Sequence, residues 1–252
     1  MSKARWFDVA ALALTIAVLA GLGFALRPQH TPRITVAASA ARVDRPQPPA
    51  TTRPSALFIS DSYTGGIGLK ERYYGCMAAV RMGWLCDVSA EPGTGYISGG
   101  PANRFDLKEG KGPSTSFDER IPGLADRYAP DIVVLDGGRN DRFAPSAAVF
   151  AVMSATIADV RQNWPTAKIV FIRPRLLDRP DDDVGYGDDF IARLRAEPAA
   201  HDMVVVDPIS RFTGTDTSSM LSRDGTPDQA GALAVSSGLL DSLSDNGLAA
   251  TT

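Results

Sequence analysis

The sequence predicts an α/β fold in which a parallel five-stranded sheet lies between two layers of helices. Short apolar runs bounded by turn residues are typical of strands buried on both faces, and five of them cover residues 56–59, 85–89, 132–135, 168–172 and 203–206. Segments with helical character follow four of these runs, at residues 69–82, 146–163, 186–195 and 228–243. Because strands and helices alternate, the strands are expected to be parallel and covered on both sides.

The first 54 residues differ in composition from the rest of the chain. Residues 9–26 carry no charge and consist mainly of Ala, Leu, Val and Ile, and a helix of that length spans roughly 27 Å, close to the thickness of bilayer hydrocarbon. We therefore expect a single-pass membrane anchor at residues 1–27, a Pro/Ala-rich tether at 28–54, one domain at 55–245 and a C-terminal tail at 246–252.

A cleavable signal sequence is the alternative to the membrane anchor. Lys3 and Arg5 form a basic start, and Ala38-Ser39-Ala40 resembles a small-residue cleavage site. Basic residues flank the apolar run on both sides, so charge does not set its orientation. The tether suits a domain held away from a membrane surface, so we expect the domain to be extracytoplasmic, either anchored or secreted after cleavage.

Cysteine and histidine usage limits the cofactor chemistry. Cys76 and Cys86 are ten residues apart, and both a disulfide and a pair of buried free thiols fit this spacing. The two histidines, His30 and His201, form no cluster with metal-ligand spacing, so neither a metal nor another cofactor is expected. The net charge is −3 and basic residues are not interleaved with aromatic ones, so nucleic acid is not an expected partner.

Polar segments follow each of the first three predicted strands. Ser62 follows the first strand, Gly93 the second and Asn140 the third. Ligands of open parallel sheets collect beyond the carboxyl ends of the strands, so we expect these three residues to meet at one edge. Residues 98–121 are rich in Gly, Ser and Pro, and they are predicted to be a loop that covers this edge.

The three residues supply the groups that acyl transfer requires. A serine hydroxyl at a helix start can attack a carbonyl carbon, and the N–H groups of Ser62 and Gly93 with the side-chain amide of Asn140 are three donors for an oxyanion hole. Each residue also has a simpler interpretation. Ser62 fits a helix N-cap, Gly93 a turn glycine and Asn140 an Asx turn.

With these motifs the chain resembles the SGNH, or GDSL-like, hydrolases over residues 55–243. That family is named for a nucleophilic Ser in Gly-Asp-Ser, an oxyanion Gly, an oxyanion Asn in Gly-x-Asn-Asp and a terminal Asp-x-x-His. Ser62 matches the nucleophile, with Ser60 in place of the usual Gly; Gly93 matches the second motif; Gly138-Arg139-Asn140-Asp141 fits the third. The resemblance implies a flavodoxin-like three-layer sandwich of the SGNH hydrolase type.

The fourth motif lacks its histidine. Asp224-Gly225-Thr226 runs directly into Pro227, where the family often has a His before the Pro, so Asp224 is left as the remnant of the base system. His201 precedes the last predicted strand and is expected at the opposite end of the sheet. Asp136 ends the third predicted strand, and we expect it to have a structural role.

The resemblance implies hydrolysis of small acyl esters on envelope glycans or lipids, with Ser62 as nucleophile and Ser62, Gly93 and Asn140 as oxyanion donors. The expected partners are a small acyl-ester or O-acylated glycan ligand and, through the N-terminal helix, a membrane. Loss of the base of a serine dyad removes most of the rate. The alternative function is therefore a catalytically inactive module of the same fold that binds a glycan or another ligand.

Overall fold

A computed structural model describes residues 53–65 and 72–248 of the chain. Its five strands are Ser55–Ser60 (β1), Leu85–Ala90 (β2), Ile132–Asp136 (β3), Lys168–Ile172 (β4) and Val204–Val206 (β5). All of them pair in parallel, in the order β2-β1-β3-β4-β5. The parallel five-stranded sheet predicted from the apolar runs is confirmed.

Helices cover both faces of this sheet. Six α-helices lie within the described residues: Ser62–Gly65 (α1), Tyr74–Arg81 (α2), Phe117–Ala125 (α3), Ser146–Asn163 (α4), Asp188–Arg195 (α5) and Gln229–Asp245 (α6). Helix α2 packs against α6, and α3 packs against α4. From its second residue onward every position of β1, β3 and β4 is buried, which requires a layer of helices on each side.

The predicted membrane anchor and nearly all of the predicted tether lie outside the described residues. Within residues 53–65 and 72–248, no helix has both the length and the apolar character that a membrane crossing needs. The first part of the helix predicted at residues 69–82 also lies outside the described residues, and the described part forms α2.

The prediction of a continuous loop at residues 98–121 is wrong, because α3 begins inside it at Phe117. A capping box starts this helix, since the carboxylate of Glu119 accepts hydrogen bonds from the N–H and the hydroxyl of Ser116. Phe117 and Ile121, four residues apart, are completely buried. The Gly, Ser and Pro content of the segment concealed a short amphipathic helix that is stabilised by its cap and by the core beneath it.

The first three strands end at the same level. Ser60 of β1 is in register with Ala90 of β2 and with Asp136 of β3, so the segments that follow these strands emerge side by side. The guanidinium of Arg120, on α3, donates hydrogen bonds to the carbonyl oxygens of Ser60 (3.1 and 3.2 Å) and Ser89 (2.7 Å). A buried cation thus satisfies carbonyl groups at the ends of β1 and β2.

Cys76 of α2 and Cys86 of β2 form a disulfide, with their Cα atoms 5.5 Å apart. Of the two states that the sequence left open, the structure has the disulfide. The bond ties the edge strand β2 to the helix that precedes it.

Replacing both cysteines by serine is expected to lower the free energy of unfolding by about 3 kcal/mol, because a ten-residue loop is no longer closed in the unfolded chain. Urea unfolding of the oxidised protein and of the Cys76→Ser/Cys86→Ser variant measures the difference. Dithiothreitol should destabilise the wild type and leave the variant unchanged. Equal unfolding midpoints for the oxidised protein and the variant would contradict the prediction.

Candidate active site

The side-chain amide of Asn140 joins the three segments that follow β1, β2 and β3. Its Nδ2 atom lies 2.8 Å from the carbonyl oxygen of Thr94 and 3.3 Å from Oδ2 of Asp61. Asp61 immediately precedes Ser62, and Thr94 immediately follows Gly93. The structure therefore brings Ser62, Gly93 and Asn140 to one region at the carboxyl edge of the sheet.

Ser62 is the first residue of α1 and is half-buried. Oδ1 of Asp61 accepts a hydrogen bond from the backbone N–H of Tyr63, with an N···O distance of 2.7 Å. Asp61, rather than Ser62, therefore caps the helix. Within residues 53–65 and 72–248, neither the hydroxyl nor the N–H of Ser62 has a hydrogen-bond partner. The Ser62 hydroxyl is therefore not engaged in capping and is available to an external group.

Gly93 lies in the exposed loop after β2 with φ +77°. This left-handed conformation favours glycine, and a Cβ atom at this position would lie 3.1 Å from Cζ of Phe105. The N–H of Gly93 has no hydrogen-bond partner among the described residues. Gly93 is thus a turn glycine, as its simpler interpretation predicted, and its N–H is also an open donor beside Asn140.

Asn140 has two amide hydrogens, and both face protein acceptors. The contact with Asp61, at 3.3 Å, is the longer of the two. The shorter contact, with Thr94, fixes the orientation of the amide. The hydroxyl of Ser98 donates to the carbonyl oxygen of Asn140 at 2.8 Å and fixes its backbone.

Asp141 fastens the loop after β2 to the third segment. Its buried carboxylate accepts the N–H groups of Tyr96 (2.8 Å), Ile97 (3.1 Å) and Ser98 (2.7 Å). A Cβ atom on Gly95 would lie 2.3 Å from Oδ2 of Asp141, so this close approach requires glycine. No role of its own was predicted for Asp141 from the sequence, although its place next to Asn140 was the available signal.

A buried ion pair lies beneath this region. Oδ1 of Asp136 accepts a hydrogen bond from Nη1 of Arg139 at 2.9 Å, and the two side chains are 0% and 2% exposed. Oδ2 of Asp136 accepts hydrogen bonds from the hydroxyls of Thr64 and Tyr74. Asp136 has the structural role that we expected, and it holds α1 and the first residue of α2 to the end of β3.

Arg139 extends this network towards the segment that carries Ser62. Its guanidinium lies over the ring of Tyr63, 4.3 Å from the ring centroid, and its Nε donates to the carbonyl oxygen of Arg175 at 2.8 Å. Burial raises the pKa of Asp61 to about 6, and the positive charge of Arg139 offsets part of this effect. The role of Arg139 was not predicted from the sequence, because Arg139 occupies the variable position of the Gly-x-Asn-Asp motif.

Asp224 lies in the exposed turn before α6. Its Oδ1 accepts hydrogen bonds from the hydroxyl of Ser222, from the hydroxyl of Thr226 (2.7 Å) and from the N–H of Thr226 (3.2 Å), and these bonds lower the pKa of Asp224 to about 2. No described contact joins Asp224 to Ser62. His201 precedes β5, at the amino edge of the sheet, so it is at the opposite end from Ser62, as expected.

Arg139→Gln is expected to lower the free energy of unfolding by about 3–5 kcal/mol, because it leaves the carboxylate of Asp136 buried without its counter-charge. Arg195→Gln is the control, since Arg195 is exposed on α5 and has no ion-pair partner among the described residues; a change within about 0.5 kcal/mol is expected there. Thermal and urea unfolding measure both variants. A loss as small for Arg139→Gln as for Arg195→Gln would show that the buried pair is not required.

No family model and no curated protein sequence matches the chain. Among solved structures, a carbohydrate esterase family 2 enzyme with a carbohydrate binding domain, from Corynascus thermopiles (Myceliophthora fergusii), is 21% identical over 80% of this chain and 68% of its own, with a TM-score of 0.57. A family two carbohydrate esterase from Clostridium thermocellum, in complex with cellohexaose, is 17% identical over 79% of this chain and 67% of its own, with a TM-score of 0.59.

A member of the lipolytic protein G-D-S-L family from Veillonella parvula DSM 2008 is 15% identical over 74% of this chain and 96% of its own, with a TM-score of 0.54. The chain spans about two thirds of the length of the two carbohydrate esterases. At these identities the likeness concerns the fold. The chain has the SGNH/GDSL-like hydrolase fold.

Proposed function

We propose that the protein is a serine esterase of the SGNH type that acts on small acyl esters carried by glycans or lipids. The observation that carries the proposal is the position of the Asn140 amide, which contacts both the residue before Ser62 and the residue after Gly93. Three groups suited to acyl transfer thus converge at the carboxyl edge of a parallel sheet, where ligands of such sheets bind. Structures of the same fold include carbohydrate esterases and lipolytic proteins, which agrees with the proposal.

In the proposed reaction the hydroxyl oxygen of Ser62 attacks the ester carbonyl carbon. The N–H groups of Ser62 and Gly93 and the amide of Asn140 stabilise the resulting oxyanion, and loss of one such donor commonly costs about 3 kcal/mol of transition-state stabilisation. Collapse of the intermediate breaks the ester bond, releases the alcohol and leaves an acyl group on Ser62. Water then hydrolyses this acyl-enzyme to the carboxylic acid and free serine.

The nucleophile has no base among the described residues. No described side chain accepts a hydrogen bond from the Ser62 hydroxyl, so its proton passes to water and turnover is expected to be slow. The second candidate function, a catalytically inactive module that binds a glycan or another ligand, is favoured by the same feature. It is also favoured by Asp224, whose Oδ1 is occupied by its own turn instead of an imidazole.

The proposed site of action is outside the cytoplasm, with residues 1–27 as a membrane anchor and residues 28–54 as a tether. The disulfide between Cys76 and Cys86 supports this proposal, because disulfides persist in oxidising compartments. Cell fractionation combined with protease treatment of intact cells measures the location. Protein that resists protease until the cytoplasmic membrane is permeabilised would contradict the proposal. Release of the domain into the medium would favour cleavage after the apolar run.

Hydrolysis of p-nitrophenyl acetate by the full-length chain is expected to be measurable and to fall to the buffer rate in Ser62→Ala, because the acyl acceptor is removed. Ser219→Ala is the control, since Ser219 is exposed and far from Ser62 in sequence, and its rate should equal that of the wild type. Equal background rates for the wild type and Ser62→Ala would contradict the esterase and favour the binding module.

A companion variant carries one histidine inserted between Thr226 and Pro227. A positioned general base typically contributes about 10²–10⁴ in rate, so the rate should rise about a hundredfold, and adding Ser62→Ala should abolish the gain. An alanine inserted at the same place controls for the longer turn. A folded histidine variant with no gain would show that the site has diverged beyond its missing base.

A further inference from the structure

A cavity of about 640 Å³ opens beside α1, a size typical of small-molecule sites. It lies between the start of α2, the turn before α6 and the first turns of α6, and Tyr63 and Thr64 of α1 also line it. Ser62 immediately precedes Tyr63 in α1 and is not itself one of the lining residues. The cavity therefore adjoins the segment that carries the candidate nucleophile.

Two arginines of this cavity have no ion-pair partner among the described residues. Arg72 and Arg223 both line it and both are exposed. Across residues 53–65 and 72–248, neither guanidinium has an ion-pair, hydrogen-bond or ring partner, whereas the loop arginines Arg173 and Arg175 pair with Asp188 and Asp207. Two guanidiniums in one cavity offer ten N–H donors, and their planar forks match the two oxygens of a carboxylate.

The carboxylates of the cavity are already engaged. Oδ1 of Asp224 accepts hydrogen bonds from Ser222 and Thr226 in its own turn, and Oδ1 of Asp228 accepts the N–H of Gly231 at 2.9 Å as the cap of α6. Neither acid contacts an arginine of the cavity, so both guanidiniums remain open to an external anion. The second oxygen of each acid remains able to accept a hydrogen bond from a hydroxyl group.

The rest of the lining suits a sugar ring. Tyr73 is half-buried, Met77 is half-buried beside it, and Leu233 of α6 is 53% exposed. An aromatic ring and two apolar side chains next to polar groups provide contact for the C–H face of a saccharide, while the polar groups orient its hydroxyls.

We infer that this cavity binds the carboxylate of a uronic acid residue through Arg72 and Arg223, so that the acyl esters presented to Ser62 are those of an acidic glycan. The inference deepens the proposed function and rests on it for the step at Ser62. The binding of the acidic sugar does not depend on turnover, and it can be tested separately.

Isothermal titration of the full-length chain with trigalacturonic acid tests the inference, with the uncharged sugar xylotriose as the matched neutral probe. Trigalacturonic acid is expected to bind more tightly than xylotriose. Arg72→Gln and Arg223→Gln should each weaken its binding about tenfold or more, since hydrogen bonds between charged groups are lost. Arg195→Gln is the control, because Arg195 is exposed on α5, outside the cavity lining, and it should leave binding unchanged.

Three results would overturn the inference: equal affinity for the two sugars, an equal loss in Arg195→Gln, or inorganic phosphate binding as tightly as trigalacturonic acid. The last result would identify a site for small anions instead of an acidic sugar. Binding that depends on Arg72 and Arg223 in a protein without esterase activity would support the inference and count against the proposed reaction. Esterase activity lost in Ser62→Ala, without any binding of trigalacturonic acid, would do the reverse.

Discussion

The buried ion pair between Asp136 and Arg139 is the interaction on which the rest of the site depends. Both side chains are almost completely shielded from water, and an isolated charge in such a place is very unfavourable. The pair is tolerated because each partner has further contacts. Asp136 accepts hydrogen bonds from the hydroxyls of Thr64 and Tyr74. Arg139 donates a hydrogen bond to a carbonyl oxygen of the loop after β4 and lies over the ring of Tyr63. These contacts reach α1, α2 and the loop after β4, so one pair of charges positions the backbone that carries Ser62.

Next to this pair, two further carboxylates hold the backbone of the site in place by accepting hydrogen bonds from backbone N–H groups. Asp61 caps α1 and Asp141 closes the loop after β2, and these bonds leave the hydroxyl of Ser62 and the N–H of Gly93 without partners among the described residues. Donors held in place before a reaction are the main source of transition-state stabilisation in acyl transfer. The groups proposed as oxyanion donors are therefore positioned by contacts that do not involve a base, which is consistent with an esterase of low rate and with a binding module.

In the proposed function, the start of α1 and the cavity beside it have separate tasks. Asp61, directly before α1, contacts Asn140, where the reacting carbonyl would be held, and Tyr63 and Thr64 of α1 line the cavity that contains Arg72 and Arg223. In the proposal, Arg72 and Arg223, which have no ion-pair partner among the described residues, hold an anionic ligand whatever the chemistry at Ser62. In the proposed function, recognition and turnover thus rest on different residues, so the absence of a base slows turnover without removing recognition.

The sequence by itself determined the parallel sheet, the order of its elements and the segments that meet at its carboxyl edge, because apolar runs and strand ends are local patterns. It did not reveal α3, whose composition resembles a loop, or the roles of Arg120, Asp141 and the Asp136–Arg139 pair. Those roles were decided by the tertiary structure. The contact between Asn140 and Asp61 joins residues 79 positions apart and that between Asp141 and Tyr96 joins residues 45 apart, and only folding brings such buried polar groups within hydrogen-bonding distance.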